Sequence, residues 1–230
     1  MASITDLQKV LGVTFSNVAL LEQALTHRSY LNEHKELDRA HNERLEFLGD
    51  AVLELATTTR LFNEYPNDPE GNLTAYRAAL VNTNSLSVIG ESLELGKYLL
   101  LSRGESKDMG RARQYILANT VEAIIGAIYL DQGYEAAEGF IERNFYSQLE
   151  DIIANRLWQD SKSYFQEKAQ QELGDTPTYT VLSEDGPDHD KEFRVGVFVQ
   201  GELLGEGTGA SKQEAEQSAA EAGLTHKGWR

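Results

Sequence analysis

Carboxylates at helical spacing are the residues of this sequence whose arrangement first suggests chemistry. Glu43, Glu46 and Asp50 step by three and four positions, so they share one face of any helix formed there. Glu122 lies inside a strongly apolar run, with Asn119 three residues before it on the same face. A buried carboxylate needs a partner, because desolvating an unpaired charge is costly. A hard cation such as Mg²⁺ would relieve the repulsion among these acids, and carboxylate oxygens suit it.

Two simpler interpretations stay open at this point. Acids along one helix face are ordinarily a solvated surface, and Glu122 could instead pair with an arginine or remain protonated. The functional hypothesis is that Glu122 faces Glu46 and Asp50 from a second helix, so that two helices together hold a metal ion.

The element that must position the first three acids is a helix predicted from Asn42, as its N-cap, to about Phe62. Gly49 costs this helix about 1 kcal/mol relative to alanine, which predicts that another backbone packs closely there. Phe47 and Leu53 flank the acidic face, so the helix is apolar almost all round and burial is expected. Its core-facing stripe is predicted to comprise Leu45, Leu48, Val52, Leu55, Thr59 and Phe62.

Composition limits the class of protein. The 230 residues include no cysteine, which excludes disulfide partners and thiolate metal sites. No leader-like N-terminus and no apolar run of about 20 residues is present, so we expect a soluble, cytoplasmic protein with no membrane partner. The net charge of −16 argues against nucleic acid as a partner, because phosphate binding usually shows as a basic surface.

The hydrophobic period changes near residues 155–160. Only helical patterns precede this point, whereas a short helix, three strands and a final helix follow it. The predicted fold is an all-α domain over residues 1–157 and an α+β domain of order α-β-β-β-α over residues 160–229. The later elements are predicted at 161–173, Tyr179–Leu182, Phe193–Val199, Glu202–Gly209 and a helix capped by Ser211 with Glu214.

Residues 42–50 read Asn-Glu-Arg-Leu-Glu-Phe-Leu-Gly-Asp and closely resemble the signature of the ribonuclease III family. Other parts of the family pattern also occur: Ala24-Leu25-Thr26-His27-Arg28-Ser29, Gly71-x-Leu73-Thr74-x-x-Arg77-Ala78-x-Leu80-Val81 and Ala118-x-Thr120-x-Glu122-Ala123-x-Ile125-Gly126. The last 70 residues resemble a double-stranded-RNA-binding domain. The resemblance covers essentially the whole chain. It implies a homodimeric, Mg²⁺-dependent endoribonuclease that hydrolyses both strands of double-stranded RNA, including ribosomal RNA precursors and structured messenger RNAs, and leaves 5′-phosphates and short 3′ overhangs.

The resemblance also implies roles for the acidic residues. Glu46, Asp50, Asn119 and Glu122 match the positions that hold the metal, and Asp50 and Glu122 would be catalytic. Glu43 matches a position that we assign to the dimer interface or to RNA contact. The family usually has aspartate where this chain has Asn119, which offers a carbonyl oxygen but no charge. We therefore expect weaker Mg²⁺ affinity and a preference for Mn²⁺ as the substitute.

In the second domain the resemblance implies RNA contacts at two ends of the fold. Gln166 and Glu167 on the first helix would reach one minor groove, and His189 in a hairpin loop would reach the next. Ser211 and Lys212 would hold phosphates at the start of the last helix. Ordinary surface is the alternative for Gln166, Glu167 and His189. Few basic residues surround these positions, so we expect weak, salt-sensitive RNA binding.

Two other functions are considered. A non-cleaving double-stranded-RNA-binding protein would explain Asn119 as the mark of a decayed site, but the retention of Glu46, Asp50 and Glu122 argues against it. A single-domain relative specialised for ribosomal RNA ends is disfavoured by the complete second domain.

Overall fold

The computed structural model describes residues 3–107, 110–187 and 191–229. The chain divides into two compact units, Met1–Ile153 and Ala154–Arg230. The first is helical and the second has the order α-β-β-β-α, so the predicted fold class is confirmed. None of the helices in the described ranges combines the length and the hydrophobicity that a membrane span requires.

The first unit is a helical bundle built around two long helices, α4 and α7. The helices are α1 (Ile4–Leu11), α2 (Val18–Ala24), α3 (Arg28–Glu33), α4 (Glu43–Glu64), α5 (Glu70–Leu80), α6 (Thr83–Ser92), α7 (Arg111–Gln132) and α8 (Tyr134–Ala154). Most of α7 is buried, because its neighbours cover it on several sides.

Helices α4 and α7 approach each other closely enough for their backbones to touch. A Cβ atom built on Gly49 would lie 1.8 Å from the backbone oxygen of Glu122, and one built on Gly126 would lie 2.2 Å from the backbone oxygen of Leu45. No side chain larger than hydrogen fits at either position. The close backbone contact predicted at Gly49 is therefore confirmed, and this crossing places the acids of α4 beside those of α7.

The apolar stripe predicted for α4 is wrong in part. Leu45 and Val52 are buried, but Leu55 is 56% exposed and Phe62 is 71% exposed. Phe47 is 81% exposed, so the expectation of burial on all sides is also wrong. The side chains and backbone that do face the core are Leu45, Gly49, Val52, Leu53, Ala56, Thr57 and Leu61. The small residues Gly49 and Ala56 lie on this buried face, and Gly49 lets the α7 backbone approach closely.

The start of α4 is held by the segment that links α2 to α3. Asn42 is the N-cap residue of α4, as predicted, but its side chain makes no capping hydrogen bond to the first turn. Its Nδ2 instead donates to the carbonyl of Ala24 at 3.3 Å, and its backbone N–H donates to the carbonyl of Thr26 at 3.0 Å. The backbone of Leu100 exchanges hydrogen bonds with Leu25 and His27 in the same segment. The side chain of Asn42 therefore does not cap the helix. It joins the motif at residues 42–50 to the motif at residues 24–29.

The second unit packs two helices on one antiparallel sheet of order β1-β2-β3. Its elements are α9 (Ser161–Leu173), β1 (Thr178–Asp185), β2 (Glu192–Val199), β3 (Glu202–Gly209) and α10 (Lys212–His226). Gln200 and Gly201, both with positive φ, form the tight turn between β2 and β3. The core contains Phe165, Val195 and Leu204.

Candidate active site and RNA-binding residues

Four predicted metal-site residues meet beside the crossing of α4 and α7. Glu46 and Asp50 lie one turn apart on α4, and Asn119 and Glu122 lie one turn apart on α7. The side chain of Asn119 forms a hydrogen bond with Glu46. Because a carboxylate only accepts, the Asn119 amide must be the donor. The two helices therefore present one continuous group of oxygen-bearing side chains.

These carboxylates repel one another in a partly buried environment. The pKa of Glu122 is raised to about 8, first by burial and then by the charges of Asp50 and Glu46. Burial also raises the pKa of Glu46, with Glu43 adding to the effect and the Asn119 hydrogen bond opposing it. No basic side chain of the described residues contributes to the Glu122 shift, so an arginine partner does not account for this acid.

The donor set fits a hard divalent cation in its chemistry. Three carboxylates and an amide offer oxygen ligands, and a cation would offset the repulsion that raises the pKa of Glu122. Within the ranges described, no three His, Cys, Asp or Glu side chains already stand as they would around a bound ion. The side chains would thus have to rotate toward a common point when an ion enters.

Two further acids border this group. Glu43 is exposed and lies 3.6 Å from Arg28 and 3.8 Å from His41. It adds to the raised pKa of Glu46 but does not contribute to that of Glu122, so it borders the group on the Glu46 side. Burial raises the pKa of Asp50, and Glu54, which sequence reasoning did not include, adds to this shift from one turn further along α4. Its position four residues after Asp50 could have indicated from the sequence that it lies on the same helix face.

The predicted RNA-binding residues lie on the surface of the second unit. Gln166 and Glu167 are exposed on α9 and line a shallow depression with their polar neighbours. Ser211 is the N-cap of α10, and its hydroxyl accepts the backbone N–H of Glu214 at 3.2 Å. Lys212 is exposed in the first turn, with its Nζ 5.7 Å from the ring of Phe193. His189 lies outside the described residues.

The first turn of α10 also carries a carboxylate. Glu214 accepts the backbone N–H of Ala210 at 3.0 Å, so one donor near the helix N-terminus is already bonded to an acid. The predicted capping box is modified here, since the reciprocal bond reaches Ala210 and not Ser211. A negative group at this point reduces the attraction of the helix N-terminus for phosphate.

An apolar face of α4 is exposed on the side away from α7. Phe47, Leu55 and Phe62, which we call the α4 apolar face, are each more than half exposed. A surface cavity of about 830 Å³ adjoins it and is lined by Leu20, Leu45, Phe47, Leu48 and Leu130, among others. Large apolar side chains gathered on one surface commonly mark an interaction site.

Comparisons with known proteins agree with this architecture. Residues 17–149 match the family described as ribonuclease-III-like, and residues 161–227 match the double-stranded RNA binding motif. The chain is 49% identical to ribonuclease 3 of Natranaerobius thermophilus over 94% of this chain and 93% of the relative. It is 46% identical to ribonuclease 3 of Desulforamulus reducens, over 94% and 88% of the two chains.

A solved structure covers the first unit. It is the nuclease domain of ribonuclease III from Campylobacter jejuni, described as flexible in a region involved in dimer formation. The match has a TM-score of 0.56 and 43% identity, and it covers 62% of this chain and 99% of that domain. The chain therefore belongs to the ribonuclease III family, as an endoribonuclease whose helical nuclease domain is followed by a double-stranded-RNA-binding domain.

Proposed function

We propose that this protein cuts both strands of double-stranded RNA in a Mg²⁺-dependent reaction that leaves 5′-phosphates and short 3′ overhangs. The observation that carries the proposal is the placement of Glu122, a partly buried carboxylate facing Glu46 and Asp50 across the α4–α7 crossing. Structured precursors of ribosomal RNA and hairpins in messenger RNA are the proposed cellular substrates, by analogy with the family.

Each residue of the site has a distinct part in this proposal. Glu46, Asp50 and Glu122 would hold the ion with carboxylate oxygens, and Asn119 would orient Glu46 through its amide. When bound, the ion activates water for attack and stabilises the charge that develops on the phosphate. The close packing at Gly49 and Gly126 fixes the distance between the two helices. Asp50 is the most exposed of the three carboxylates, so we propose that the phosphodiester approaches the ion from its side.

Cleavage of an end-labelled, fully paired RNA of about 30 base pairs tests the proposal. This length exceeds the roughly 16 base pairs that a double-stranded-RNA-binding domain spans. We expect staggered product pairs with 5′-phosphates in Mg²⁺ and in Mn²⁺, and none in EDTA or with Glu122→Gln. Glu91→Gln, an exposed change on α6, is the matched control and should cleave normally. RNA binding without cleavage in either metal would instead support the non-cleaving alternative.

We also propose that the nuclease domain forms a homodimer through the α4 apolar face. Phe47 is 81% exposed, and water contact with three such side chains is unfavourable. The adjoining cavity is large enough to receive an aromatic side chain from a second copy. In a symmetric pair the same surface of each copy meets the other, so two acidic sites would act on one RNA duplex.

Analytical ultracentrifugation of the full chain tests this assembly. Phe47→Ser should shift the wild-type dimer toward monomer, because it removes the most exposed apolar side chain of the α4 apolar face. Val10→Ser changes a 44% exposed apolar residue on α1 and should leave the dimer intact. A wild-type protein that sediments as a monomer at micromolar concentration would refute the proposed dimer without bearing on the acidic site.

A further inference from the structure

A second acidic surface lies on the nuclease domain, in a groove between the C-terminal half of α4 and helix α8. We call it the α8 groove, and its volume is about 460 Å³. Helix α4 contributes Arg60 and Glu64 to it, and α8 contributes Glu135, Glu138, Glu142 and Tyr146. It shares no residue with the Glu46 and Glu122 site or with the α4 apolar face.

The charges in the α8 groove are unbalanced. The Arg60 guanidinium forms an ion pair with Glu64, and its Nη1 lies 3.5 Å from Oε1 of Glu142. A single positive charge therefore faces two carboxylates. Among the described residues, neither Glu135 nor Glu138 has an ion-pair partner. The single basic residue of α8, Arg143, places its guanidinium between Gly12 and Gly139 and does not itself line the groove. The groove therefore retains net negative charge that the chain itself does not neutralise.

Tyr146 lines the same groove, and its buried hydroxyl has no hydrogen-bond partner in the part of the chain that the structure describes. The residue as a whole is 9% exposed. The Arg60 guanidinium stands over its ring, 5.0 Å from the centroid. Burial raises the pKa of Tyr146 to about 12, with Glu138 and Glu142 adding to the shift and Arg60 opposing it. This neutral hydroxyl can accept a hydrogen bond from a ligand in the groove.

The acids also follow a regular line. Glu135, Glu138 and Glu142 step by three and four along α8, and Glu150 continues the line where the groove extends. Residues at such steps have Cβ atoms about 5–6 Å apart. Ammonium groups separated by three or four methylenes have comparable spacing. The lining is mostly polar, unlike the apolar core of a protein–protein interface.

From this arrangement we propose that the α8 groove binds a linear aliphatic polyamine, with its ammonium groups against Glu135, Glu138 and Glu142 and one N–H donated to Tyr146. The ligand would supply the positive charge that α8 lacks.

Isothermal titration calorimetry with spermidine tests the proposal on the full, nucleic-acid-free chain in EDTA at constant ionic strength. Wild type should bind in a saturable manner with a stoichiometry of one per chain. The double variant Glu135→Gln/Glu138→Gln should bind at least fivefold more weakly. The matched control Glu91→Gln/Glu202→Gln removes the same charge from exposed positions elsewhere and should bind like wild type.

Tyr146→Phe separates a built site from general electrostatic attraction, because it removes the hydroxyl without changing any charge. We expect it to weaken spermidine binding at least threefold, while circular dichroism shows the same fold. Equal weakening by both double variants would overturn the proposal, as would unchanged binding by Tyr146→Phe. Loss of binding in Glu122→Gln but not in the groove variants would place the polyamine at the active-site acids and also overturn it.

Discussion

Both domains use glycines to bring two backbones into contact, but the contact has a different consequence in each. In the nuclease domain, Gly49 and Gly126 let two helices touch, and the contact brings carboxylates of both helices together. In the RNA-binding domain, glycines of β3 let α10 lie on the sheet, and a Cβ built on Gly207 would meet the backbone nitrogen of Ala219 at 2.2 Å. There the residues that α10 buries are apolar, and the predicted RNA-binding residues Gln166, Glu167, Ser211 and Lys212 stay exposed.

The two sites also differ in their exposure to water. Glu122 is partly buried near two other acids, and its pKa rises to about 8. Gln166, Ser211 and Lys212 are exposed, so water screens their interactions. A site for hydrolysis gains from charges concentrated in a poorly solvated place. A surface that reads the shape of an RNA duplex needs correct spacing between accessible groups instead.

The largest expected effect comes from breaking the helix crossing. Gly49→Ala would put a methyl group 1.8 Å from a backbone oxygen. We expect it to destabilise the nuclease domain by about 3 kcal/mol or more, since overpacking of this kind forces the backbones apart. Urea unfolding followed by circular dichroism measures the change.

The matched control is Gly71→Ala in helix α5, where a new Cβ would have nothing within 4 Å. We expect it to be neutral or to stabilise by up to about 1 kcal/mol, because alanine is the better helix former. Gly207→Ala should destabilise the RNA-binding domain for the same reason as Gly49→Ala. Equal stability of Gly49→Ala and Gly71→Ala would show that the crossing is not rigid.

The next effect concerns the proton on Glu122. Its folded-state pKa of about 8 exceeds the ordinary value of 4.5, so the folded protein retains a proton that the unfolded chain releases. Metal-free stability should therefore fall as the pH rises from about 4.5 to about 8. Glu122→Gln removes this pH-dependent loss of stability. After allowance for solvent screening, the variant should be more stable than wild type by about 1–3 kcal/mol at pH 8.

Thermal unfolding in EDTA at pH 5 and pH 8 measures that difference. The advantage of Glu122→Gln should be much smaller at pH 5, where the wild-type carboxyl is protonated in the folded state. An advantage of the same size at both pH values would mean that the gain is not electrostatic. Glu202→Gln, an exposed change in the second domain, should show no such pH dependence.

A smaller effect is expected from Asn119→Asp. The change removes the amide donor to Glu46 and places a fourth carboxylate in the group. We expect the metal-free protein to lose about 1–2 kcal/mol of stability and to gain more stability from added Mg²⁺ than wild type does. Thermal unfolding across a Mg²⁺ titration measures both.

Asn84→Asp, at an exposed position on α6, adds the same charge and should alter neither value. An unchanged response to Mg²⁺ would refute the idea that Asn119 weakens metal binding.

The smallest effect is expected at the periphery of the RNA-binding domain. Lys212→Ala should lower affinity for double-stranded RNA severalfold and reduce the slope of log affinity against log salt by about 1, as the loss of one phosphate contact does. Lys227→Ala, just beyond the opposite end of α10, should leave the slope unchanged. Filter-binding titrations at several salt concentrations measure the slopes. Equal slopes for the two variants would remove Lys212 from the phosphate contact.

Much of this architecture could be predicted from the sequence, because local patterns encode it. The carboxylate spacing requires Glu46 and Asp50 to share a face, and the α-β-β-β-α order follows from the change of hydrophobic period after residue 160. Helix 161–173 and strand Glu202–Gly209 were predicted with the bounds observed. Gly49 inside a helix already indicated a close backbone contact.

Other features were decided only by tertiary structure. Spacing along α4 fixes the angles between its side chains but not the direction from which α7 approaches. For this reason the sequence placed Leu55 and Phe62 in the core, although both are exposed. Asparagine is a favourable N-cap residue, but the side chain of Asn42 donates a hydrogen bond to the carbonyl of Ala24 and not to the helix. The high pKa of Glu122 arises first from burial and then from acids more than 70 positions away in the sequence. The sequence determined which groups are available for chemistry, and the packing of α4 on α7 determined which of them meet, because that contact joins residues with no local relation.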